Sequence, residues 1–398
     1  MTHRGKAIVA GGSIGGLLAG AALMKAGWEV VVYERSQIPL AGRGAGIVTH
    51  ETLFEALRTV GASTADLGVH LERRIAIDKD GKFVASVDYP QVVTSWDRLH
   101  NILREKFDME TYRLGHALAG FEADDNGVVA RFMNGHVDQA DVLVGADGFR
   151  SSVRAALLPE VTPQYSGYVV WRTVIDEARL PTEVHKQIFN EFCFFMPANS
   201  QVVAYPIAGL GNDLREGHRR YNFVWYVPAP EDELDEMLTG PDGRRYDLTI
   251  PPPEVRNTVV EAMKAYANET LPEVLSQVVM LGERAFFTPI YDHWSPTMAQ
   301  GRVALTGDAA CVARPHVGMG VTKAAQDALA LANHVSLASP VEALKAYSAE
   351  RVPRSKAAFE RSRKLGDAIF SGGAAANPDG GNHPDAQMLM VETASDKF

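Results

Sequence analysis

The chain has 398 residues, of which 46% are hydrophobic and 22% are charged, and its formal net charge is -10. This length exceeds the roughly 250–300 residues at which one hydrophobic core stops growing, so we expect two packed domains, and the composition excludes disorder over most of the chain. The acidic balance argues against a nucleic-acid-binding surface, which needs a basic face.

Cysteine content and hydropathy indicate the cellular compartment of the protein. Cys193 and Cys311 lie in no spacing that would hold zinc, so we expect two buried, reduced thiols and no metal site. The uncharged run 7–24 imitates a signal peptide, but it contains five glycines and leads directly into a strand pattern. We therefore expect a cytoplasmic protein without an integral membrane span. The oligomeric state stays open, a homodimer included.

The first 33 residues predict a βαβ unit at the start of a doubly wound sheet. Residues 6–10 and 29–33 have the pattern of short buried strands, and residues 14–26 form an Ala/Leu-rich helix between them. The first turn reads Gly11-Gly12-Ser13-Ile14-Gly15-Gly16. Such glycines permit a tight turn and close helix packing, while the helix N-terminus faces a pyrophosphate. Ser13 replaces the middle glycine, but it is small and its hydroxyl could donate to a phosphate.

An acidic residue ends the second strand. Glu34 lies 23 positions after Gly11, where a carboxylate accepts hydrogen bonds from the adenosine ribose and disfavours the extra phosphate of NADP. The turn and Glu34 together predict dinucleotide binding. A glycine-rich helix packing site, the structural alternative, leaves Glu34 unexplained.

The α/β pattern continues with one interruption. We predict helices at residues 51–60 and 97–107 and, between them, a hairpin at residues 73–87. A buried strand at residues 142–144 then ends in an Asp147-Gly148 turn.

The section 165–287 is rich in aromatic residues and has strand-like runs at residues 168–174, 201–207 and 221–227. We predict a mostly antiparallel sheet with a polar, Pro/Gly-rich excursion at residues 228–253. This section is the expected substrate domain.

The α/β pattern returns at residues 302–308, followed by a helix at residues 321–334, so the first domain is discontinuous in sequence. The predicted fold is α/β, with a Rossmann-like dinucleotide-binding domain and an interleaved, mostly antiparallel sheet domain. The predicted division is residues 1–71, 97–165 and 286–365 for the first domain, 72–96 and 166–285 for the second, and 366–398 for a mobile C-terminal tail.

Two later motifs distinguish FAD from NAD. They are Asp147-Gly148-Phe149-Arg150 and Gly307-Asp308-Ala309-Ala310, each after a buried strand. Following the Gly-rich turn in this order, they resemble the class A flavoprotein aromatic hydroxylases, the family of 4-hydroxybenzoate hydroxylase. The resemblance covers nearly the whole chain. Within the family, phrases such as Tyr205-Pro206-Ile207 and Arg314-Pro315-His316 are similar to the hydroxypyridine hydroxylases.

The resemblance implies a set of cofactor contacts. Asp308 would bind the ribityl chain of FAD, and Asp147 would support a region shared by FAD and the arriving nicotinamide. Pro315 would lie beside the reactive C4a edge of the flavin. The other residues implied in FAD binding are Arg35, Arg43, Gly46, Ile47, Gly318, Met319 and Gly320.

The resemblance also implies the reaction. Because no second Gly-rich βαβ unit exists, NADH or NADPH would visit transiently and reduce the flavin. O2 would then form a C4a-hydroperoxide that hydroxylates an electron-rich aromatic ring. A flavin dehydrogenase or oxidase without oxygen insertion and a non-catalytic FAD protein are the alternatives. The substrate stays open between a hydroxypyridine, a phenol and 6-hydroxynicotinate.

Three residues are candidates for handling the substrate proton. Tyr205 lies on a predicted strand of the substrate domain and matches a family position. His316 follows Pro315 and could bridge cofactor and substrate. His50 is more simply interpreted as a surface histidine at a helix start.

Four further residues are expected at the substrate. Arg172 suits an anionic substrate or, alternatively, an ion pair at the domain interface. Gln201 stands where hydroxypyridine enzymes often have histidine, so it would supply a neutral hydrogen-bonding group. Phe223 and Trp225 would wall the pocket, although aromatic residues in a sheet are more often core.

Overall fold

The computed structural model describes residues 4–40, 46–283, 285–370 and 386–395. The strands are β1 (Lys6–Ala10), β2 (Glu29–Tyr33), β3 (Gly46–Val48), β4 (Val69–Ile77), β5 (Phe83–Ser95), β6 (Tyr112–Arg113), β7 (Leu118–Ala123), β8 (Val128–Phe132), β9 (Val137–Ala140), β10 (Val142–Gly145), β11 (Gln164–Asp176), β12 (Phe192–Phe195), β13 (Gln201–Ile207), β14 (Arg220–Pro228), β15 (Phe286–Trp294), β16 (Ala299–Gln300), β17 (Val303–Leu305) and β18 (Cys311–Val312). The helices are α1 (Ile14–Lys25), α2 (Glu51–Thr59), α3 (Trp96–Arg104), α4 (Ser152–Leu157), α5 (Thr182–Val184), α6 (Glu231–Met237), α7 (Asn257–Thr270), α8 (Glu273–Leu281), α9 (Gly320–Val335), α10 (Pro340–Phe370) and α11 (Ala386–Glu392).

A six-stranded sheet in the order β16-β17-β10-β1-β2-β6 carries the predicted βαβ unit. All neighbours in it are parallel except β16 and β17. Ala10 pairs with Gly145 on one side and with Tyr33 on the other, so these strands end together. Loops that follow parallel strands therefore meet at one edge of the sheet, which is where such folds bind ligands.

Helix α1 is buried on nearly all sides. Nine of its 12 residues are inaccessible, because it packs between the sheet and α9. A Cβ at Gly20 would lie 3.0 Å from Val32 Cγ2, so glycine brings the helix close to β2. The charge-free stretch from residue 7 is thus a buried strand and helix. In the described ranges, no helix is long and apolar enough to cross a membrane.

The second sheet has nine strands in the order β18-β15-β11-β14-β13-β12-β4-β5-β3. Its pairs are antiparallel except β4 with β12, which confirms the mostly antiparallel prediction. The aromatic section also contains α7 and α8, which the sequence interpretation missed because it judged the section by aromatic content. Met263 and Ala267 lie four residues apart on the buried side of α7, the spacing of a helix. A small third sheet consists of β7, β8 and β9.

Sheet membership differs from the predicted division for three complete strands. Strands β3, β15 and β18 pair within the nine-stranded sheet, although their residues lie in ranges predicted for the dinucleotide-binding domain. Residues from the ranges predicted for both domains therefore lie side by side in the nine-stranded sheet.

The predicted mobile tail is wrong for the described residues beyond 366. Helix α10 continues to Phe370, and α11 packs into the core of the nine-stranded sheet through Leu389 and Met390. Residues 371–385 and 396–398 lie outside the described part of the chain.

A buried arginine holds this C-terminal segment. Arg74 is fully inaccessible and donates to the carbonyl oxygens of Met390 (2.7 Å), Thr393 (2.5 Å) and Ala394 (3.0 Å). The C-terminal end of a helix leaves carbonyl groups without intrahelical partners. A cation at that end also interacts favourably with the negative end of the helix dipole. Burial lowers the pKa of Arg74 to about 10, so it stays charged at neutral pH. Composition does not reveal such a contact, because the donor Arg74 and its acceptors are more than 300 residues apart in the sequence.

Candidate active site

Two connected cavities of about 550 and 420 Å³ lie at the carboxyl edge of the parallel strands. The first extends from the end of β2, and the second reaches β11 and β15 of the nine-stranded sheet. Both are lined by Ser13, Trp96, Ala146 and Gly148. Because they share these lining residues, we treat the two adjoining cavities as one site and call it the channel.

The Gly-rich turn shapes the middle of this channel. Gly11 has φ of +112°, and a Cβ there would overlap the Ala146 carbonyl group. A Cβ on Gly16 would overlap the Gly11 carbonyl oxygen. At Gly15, in contrast, the nearest neighbour of a Cβ would be Ala324 Cβ at 3.6 Å, and this residue lines the cavity. Two glycines are therefore required by the protein itself, and Gly15 keeps space free for a ligand.

The start of α1 offers hydrogen-bond donors to that space. Ser13 is the N-cap residue, but its side chain makes no capping hydrogen bond. The first-turn N–H groups of a helix have no intrahelical acceptor, and they carry the positive end of the helix dipole. Ser13, Ile14 and Gly15 all line the cavity, so an anion there would meet both the hydroxyl and the amides.

Glu34 is held rigidly at the other end of the channel. Its Oε2 accepts from Gly12 N and its Oε1 from Ser36 N, both at 2.8 Å. Each carboxylate oxygen has a further lone pair for a ribose hydroxyl. Arg35 lines the same cavity.

Asp147 stabilises the turn after β10. Its Oδ2 accepts from Ser152 N (2.7 Å), Ser152 Oγ (3.0 Å) and Val153 N (3.2 Å), which fixes the start of α4. Its Oδ1 is buried without a hydrogen-bond partner among the described residues. One oxygen is therefore structural, and the other is available to a ligand in the cavity.

Asp308 is exposed to the second cavity, which it lines beside Gly307 and Thr306. The protein groups around its carboxyl raise the pKa of Asp308 by partial desolvation, and the ammonium group of Lys323 opposes that rise. A cluster of buried charges supports this turn. Asp327 accepts from Gly307 N (3.0 Å) and Arg351 Nε (2.8 Å), and Lys323 Nζ donates to the Gly307 carbonyl (2.8 Å).

Lys323 keeps its charge despite being buried. Burial disfavours its charged form, but the nearby acidic groups, Asp327 first among them, together outweigh that effect and raise the pKa of the lysine. A buried pair resists separation, because removal of one partner leaves an uncompensated charge. The cluster thus holds the backbone that presents Asp308.

Arg172 lines the end of the channel that meets the nine-stranded sheet. It forms no ion pair with a carboxylate in the part of the chain that the structure describes. The expected alternative, an ion pair at the domain interface, is therefore absent there. Its positive charge acts instead on the phenol groups of Tyr205 and Tyr226, whose pKa values burial raises and Arg172 lowers in part.

Tyr205 lies behind the first residue of β3. A Cβ at Gly46, which lines the channel, would be 2.5 Å from the Tyr205 ring. The ring also stacks on Phe192, with centroids 4.8 Å apart. Asn222 Oδ1 accepts from Gly46 N at 3.1 Å. Because burial raises the pKa of Tyr205 above its ordinary value, the phenol is protonated at neutral pH.

His316 is fully enclosed, with both ring nitrogens engaged. Nδ1 lies 3.2 Å from Gln201 Oε1, and Nε2 lies 2.9 Å from the Tyr168 hydroxyl. An amide oxygen only accepts, so Nδ1 carries the proton and Nε2 accepts from Tyr168. Burial, with a smaller contribution from Arg314, lowers the pKa of His316 to about 3. The structure therefore brings Gln201 and His316 together, and the histidine is neutral.

Phe223 and Trp225 do not face the channel, so the prediction that they wall the pocket is wrong. Side chains alternate along β14, and these two lie in the core on the opposite face of the sheet. Trp225 stacks on Tyr266 of α7 and donates to Ser200 Oγ at 2.9 Å. Their neighbour Tyr226 lies on the face that carries Tyr205.

The segment after Asp308 divides into residues at the channel and residues in the core. Gly320 lines the channel, whereas Met319 is buried and Pro315 begins a short 3-10 turn. Gly318 has φ of +63° and packs against Ala394, since a Cβ there would come within 2.6 Å of Ala394 Cβ.

Three other predicted residues have three different outcomes. His50 is buried, with Nδ1 2.9 Å from Thr322 Oγ1, so it is not a surface histidine. Ile47 lines the channel beside Gly46. Arg43 lies outside the described residues.

Several channel residues were not identified from the sequence. Trp96, Thr306, Phe286 and Thr288 line the second cavity. Thr306 could have been found as the residue between β17 and the Gly307-Asp308 motif. The others come from separate strands and helices, and no local pattern connects them.

We expect Gly15→Ala and Gly16→Ala to fail in different ways. Gly15→Ala should fold normally and lower FAD affinity at least about tenfold, because only the ligand competes for that space. Gly16→Ala should destabilise the FAD-free protein by about 3 kcal/mol through overlap with Gly11. Thermal unfolding of the FAD-free proteins and fluorescence titration with FAD measure both effects. Equal FAD affinity in Gly15→Ala and the unaltered protein would contradict this assignment.

The neutral His316 predicts a pH dependence of stability. Its pKa is about 3 when folded and 6.5 ordinarily, so between these values only the unfolded chain binds the proton. This contribution to stability is complete above pH 6.5 and is lost as pH falls towards 3. Relative to His316→Gln, the unfolding free energy should fall by up to about 1.4 kcal/mol per pH unit in that range. Urea unfolding at pH 7, 6 and 5 tests this, and parallel pH curves for the two proteins would contradict it.

Comparison with known proteins agrees with this geometry. A family model described as FAD binding domain-like matches residues 165–292. The 2,6-dihydroxypyridine 3-monooxygenase of Paenarthrobacter nicotinovorans is 32% identical over 92% of this chain and 91% of that protein. A 3-amino-4-hydroxybenzoate 2-monooxygenase of Streptomyces platensis is 30% identical, covering 92% of this chain and 88% of the relative.

The fold comparison extends over nearly the full length. The solved structure of 2,6-dihydroxypyridine-3-hydroxylase from Arthrobacter nicotinovorans superposes with a TM-score of 0.88 at 30% identity, covering 96% of this chain and 97% of that one. Sequence and fold agree along almost all of both chains. The chain therefore belongs to the class A flavoprotein aromatic hydroxylases, a family of FAD-dependent monooxygenases.

Proposed function

We propose that this protein is a single-component FAD-dependent monooxygenase that hydroxylates a small hydroxylated aromatic ring, using NADH or NADPH and O2. A hydroxypyridine such as 2,6-dihydroxypyridine is the favoured substrate, because a relative that is named 2,6-dihydroxypyridine 3-monooxygenase matches most of the chain. The observation that carries the proposal is the channel itself. It joins a dinucleotide site beside Glu34 to Arg172 on the aromatic sheet, an arginine without a carboxylate partner among the described residues.

The residues along the channel fit FAD in the order of its parts. Glu34 suits the adenosine ribose, the start of α1 suits the pyrophosphate, and Asp308 suits the ribityl hydroxyls. Gly320, where a Cβ would meet no atom within 4 Å, leaves room for the flavin ring, and the backbone of Gly46 lines the same space. When bound, FAD supplies two-electron redox chemistry and the activation of oxygen, and the protein supplies binding, orientation and electrostatics.

Arg172 would make the aromatic ring more reactive. A ring carbon beside a hydroxyl becomes more nucleophilic when that hydroxyl loses its proton. A guanidinium without a carboxylate partner, at the end of a channel, stabilises the resulting anion. An acidic partner, as in an interface ion pair, would cancel this effect.

Tyr205 is the candidate for hydrogen bonding to the substrate hydroxyl. Its phenol is protonated and lies directly behind Gly46, next to the space proposed for the flavin ring. A protonated phenol donates a hydrogen bond to an oxyanion. The positive charge of Arg172 also favours ionisation of the Tyr205 phenol, because it lowers the pKa of that group in part. His316 acts differently: with a pKa of about 3 it is neutral, so we assign it a positioning role through Gln201 and Tyr168.

Purified protein with bound flavin provides the first test. NADH and NADPH oxidation is measured with and without a panel of hydroxypyridines, phenols and 6-hydroxynicotinate, under ¹⁸O2. We expect one ring class to accelerate oxidation and to gain one ¹⁸O atom. Substrate-dependent oxidation without ¹⁸O in the product would instead identify a dehydrogenase or oxidase. A purified protein without flavin would exclude the proposal.

Tyr205→Phe tests the proposed contact with the substrate. We expect FAD binding to be unchanged and hydroxylation to slow by at least about tenfold, since proton-handling groups typically contribute about 10²–10⁴-fold. Tyr221→Phe is the matched control, because Tyr221 lies on β14 but in the core on the opposite face. An unchanged single-turnover rate in Tyr205→Phe would remove this residue from the mechanism.

A further inference from the structure

The C-terminal segment, residues 386–395, ends against the turn that leads into α9. The backbone N–H of Ala394 donates to the His316 carbonyl at 2.8 Å. A Cβ at Gly318 would lie 2.6 Å from Ala394 Cβ, so the two residues are in direct contact. Gly320, two residues after Gly318, begins α9 and lines the channel. The end of the C-terminal segment therefore braces a turn that forms part of the channel wall.

Ala394 has an unusual backbone conformation. Its φ is +51°, in the left-handed region that a residue with a Cβ adopts only at a cost in free energy. Such a conformation persists only where the surrounding structure holds it, and it is frequent where an exact geometry serves a function. The Ala394 carbonyl oxygen lies within 3.4 Å of three side-chain nitrogens, on Arg74, His50 and Gln91. The fold thus holds one strained residue against the turn.

Arg74 fixes the C-terminal segment through its buried charge. Among the described residues this guanidinium has no acidic partner. Three of its four hydrogen bonds there go to carbonyl groups of the segment, and the fourth goes to Gln91. A buried charge without acceptors is strongly disfavoured. Release of the segment would remove three acceptors at once, so Arg74 couples the burial of its charge to the position of Ala394.

The C-terminal segment also reaches the polar residues at the reactive end of the channel. Thr393 Oγ1 accepts from Gln201 Nε2 at 3.4 Å, and Gln201 Oε1 accepts from His316 Nδ1. Leu389 is buried in the same hydrophobic cluster as Tyr205. These contacts lie at the nine-stranded sheet, whereas the residues that suit the adenosine of FAD lie at the parallel strands. The segment therefore supports the reactive end of the channel and leaves the dinucleotide end to other residues.

We propose that Arg74 is a positioning residue of the hydroxylation, which acts through the C-terminal segment on the turn 315–320. The segment keeps this turn closed, excludes water from the reactive end of the channel and aligns His316 with Gln201. Without the segment, the hydride of NADH or NADPH and one proton from water would reduce O2 to H2O2, and no oxygen atom would enter the ring. This inference rests on the proposed function.

Arg74→Met tests the proposal, and Arg73→Met is its matched control. Both replace an arginine of β4, but the Arg73 side chain is half exposed and pairs with Glu191. The measurements are FAD affinity, the rate of NAD(P)H oxidation, and the yields of hydroxylated ring and of H2O2. In Arg74→Met we expect hydroxylation to slow about tenfold or more, as for a small misplacement of reacting groups, with most of the O2 appearing as H2O2. FAD affinity should change less than about threefold, and Arg73→Met should behave like the unaltered protein.

Ala394→Leu is a second test that leaves the buried charge intact. It keeps the carbonyl acceptors of Arg74 but places a larger side chain against Gly318, so either the turn or the C-terminal segment must shift. We expect the same change from hydroxylation to H2O2 formation, again with little effect on FAD affinity. This variant decides the question if Arg74→Met does not fold.

The outcomes separate this inference from the proposed function. Normal yields of hydroxylated ring in folded Arg74→Met, or in Ala394→Leu, would overturn the proposal and leave the proposed function standing. A parallel loss of FAD affinity and hydroxylation would indicate general destabilisation and would also overturn it, as would equal effects in Arg73→Met. If the unaltered protein hydroxylates no ring of the panel, the proposed function itself fails, and this inference fails with it.

Discussion

The contact between three backbone segments at Gly11, Gly16 and Ala146 determines the site. Gly11 lies against the Ala146 carbonyl, and the Gly11 carbonyl lies where a side chain on Gly16 would be. No residue with a Cβ fits either position. This contact places the N-terminus of α1 directly above the ends of β1 and β10. Because the neighbouring strands are parallel and end together, Glu34, Asp147 and the turn before Asp308 reach the same edge.

The second constraint is the alternation of side chains in the nine-stranded sheet. One face packs against α7 and α8 and contains Phe223 and Trp225. The other face contains Tyr205 and Tyr226, close enough to Arg172 for its charge to act on both phenols. The C-terminal segment closes this second face, because Arg74 binds the carbonyl groups at the end of α11. The reactive end of the channel thus depends on residues from the first, middle and last parts of the chain.

Charge is distributed in a way that suits anionic ligands. The carboxylates of Glu34 and Asp147 already accept backbone N–H groups, which leaves them fixed and partly neutralised. The arginines that line the channel have no carboxylate partners within the described ranges. An acidic protein can in this way present a locally positive surface to dinucleotides and to an aromatic anion, since desolvation strengthens local interactions relative to distant ones.

The sequence by itself determined the local parts of this protein. The strands β1, β2 and β13 begin and end where their patterns predict, and the Gly-rich turn, Glu34, Asp147 and Asp308 all line the channel. Turn chemistry and periodicity act over a few residues, so they can be inferred from a few residues. Tertiary structure decided the rest. Packing between segments that are distant in sequence decides which face of β14 is turned towards the channel, and it buries His50 and the C-terminal segment. The same packing leaves Arg172 without an acidic partner among the residues that the structure describes.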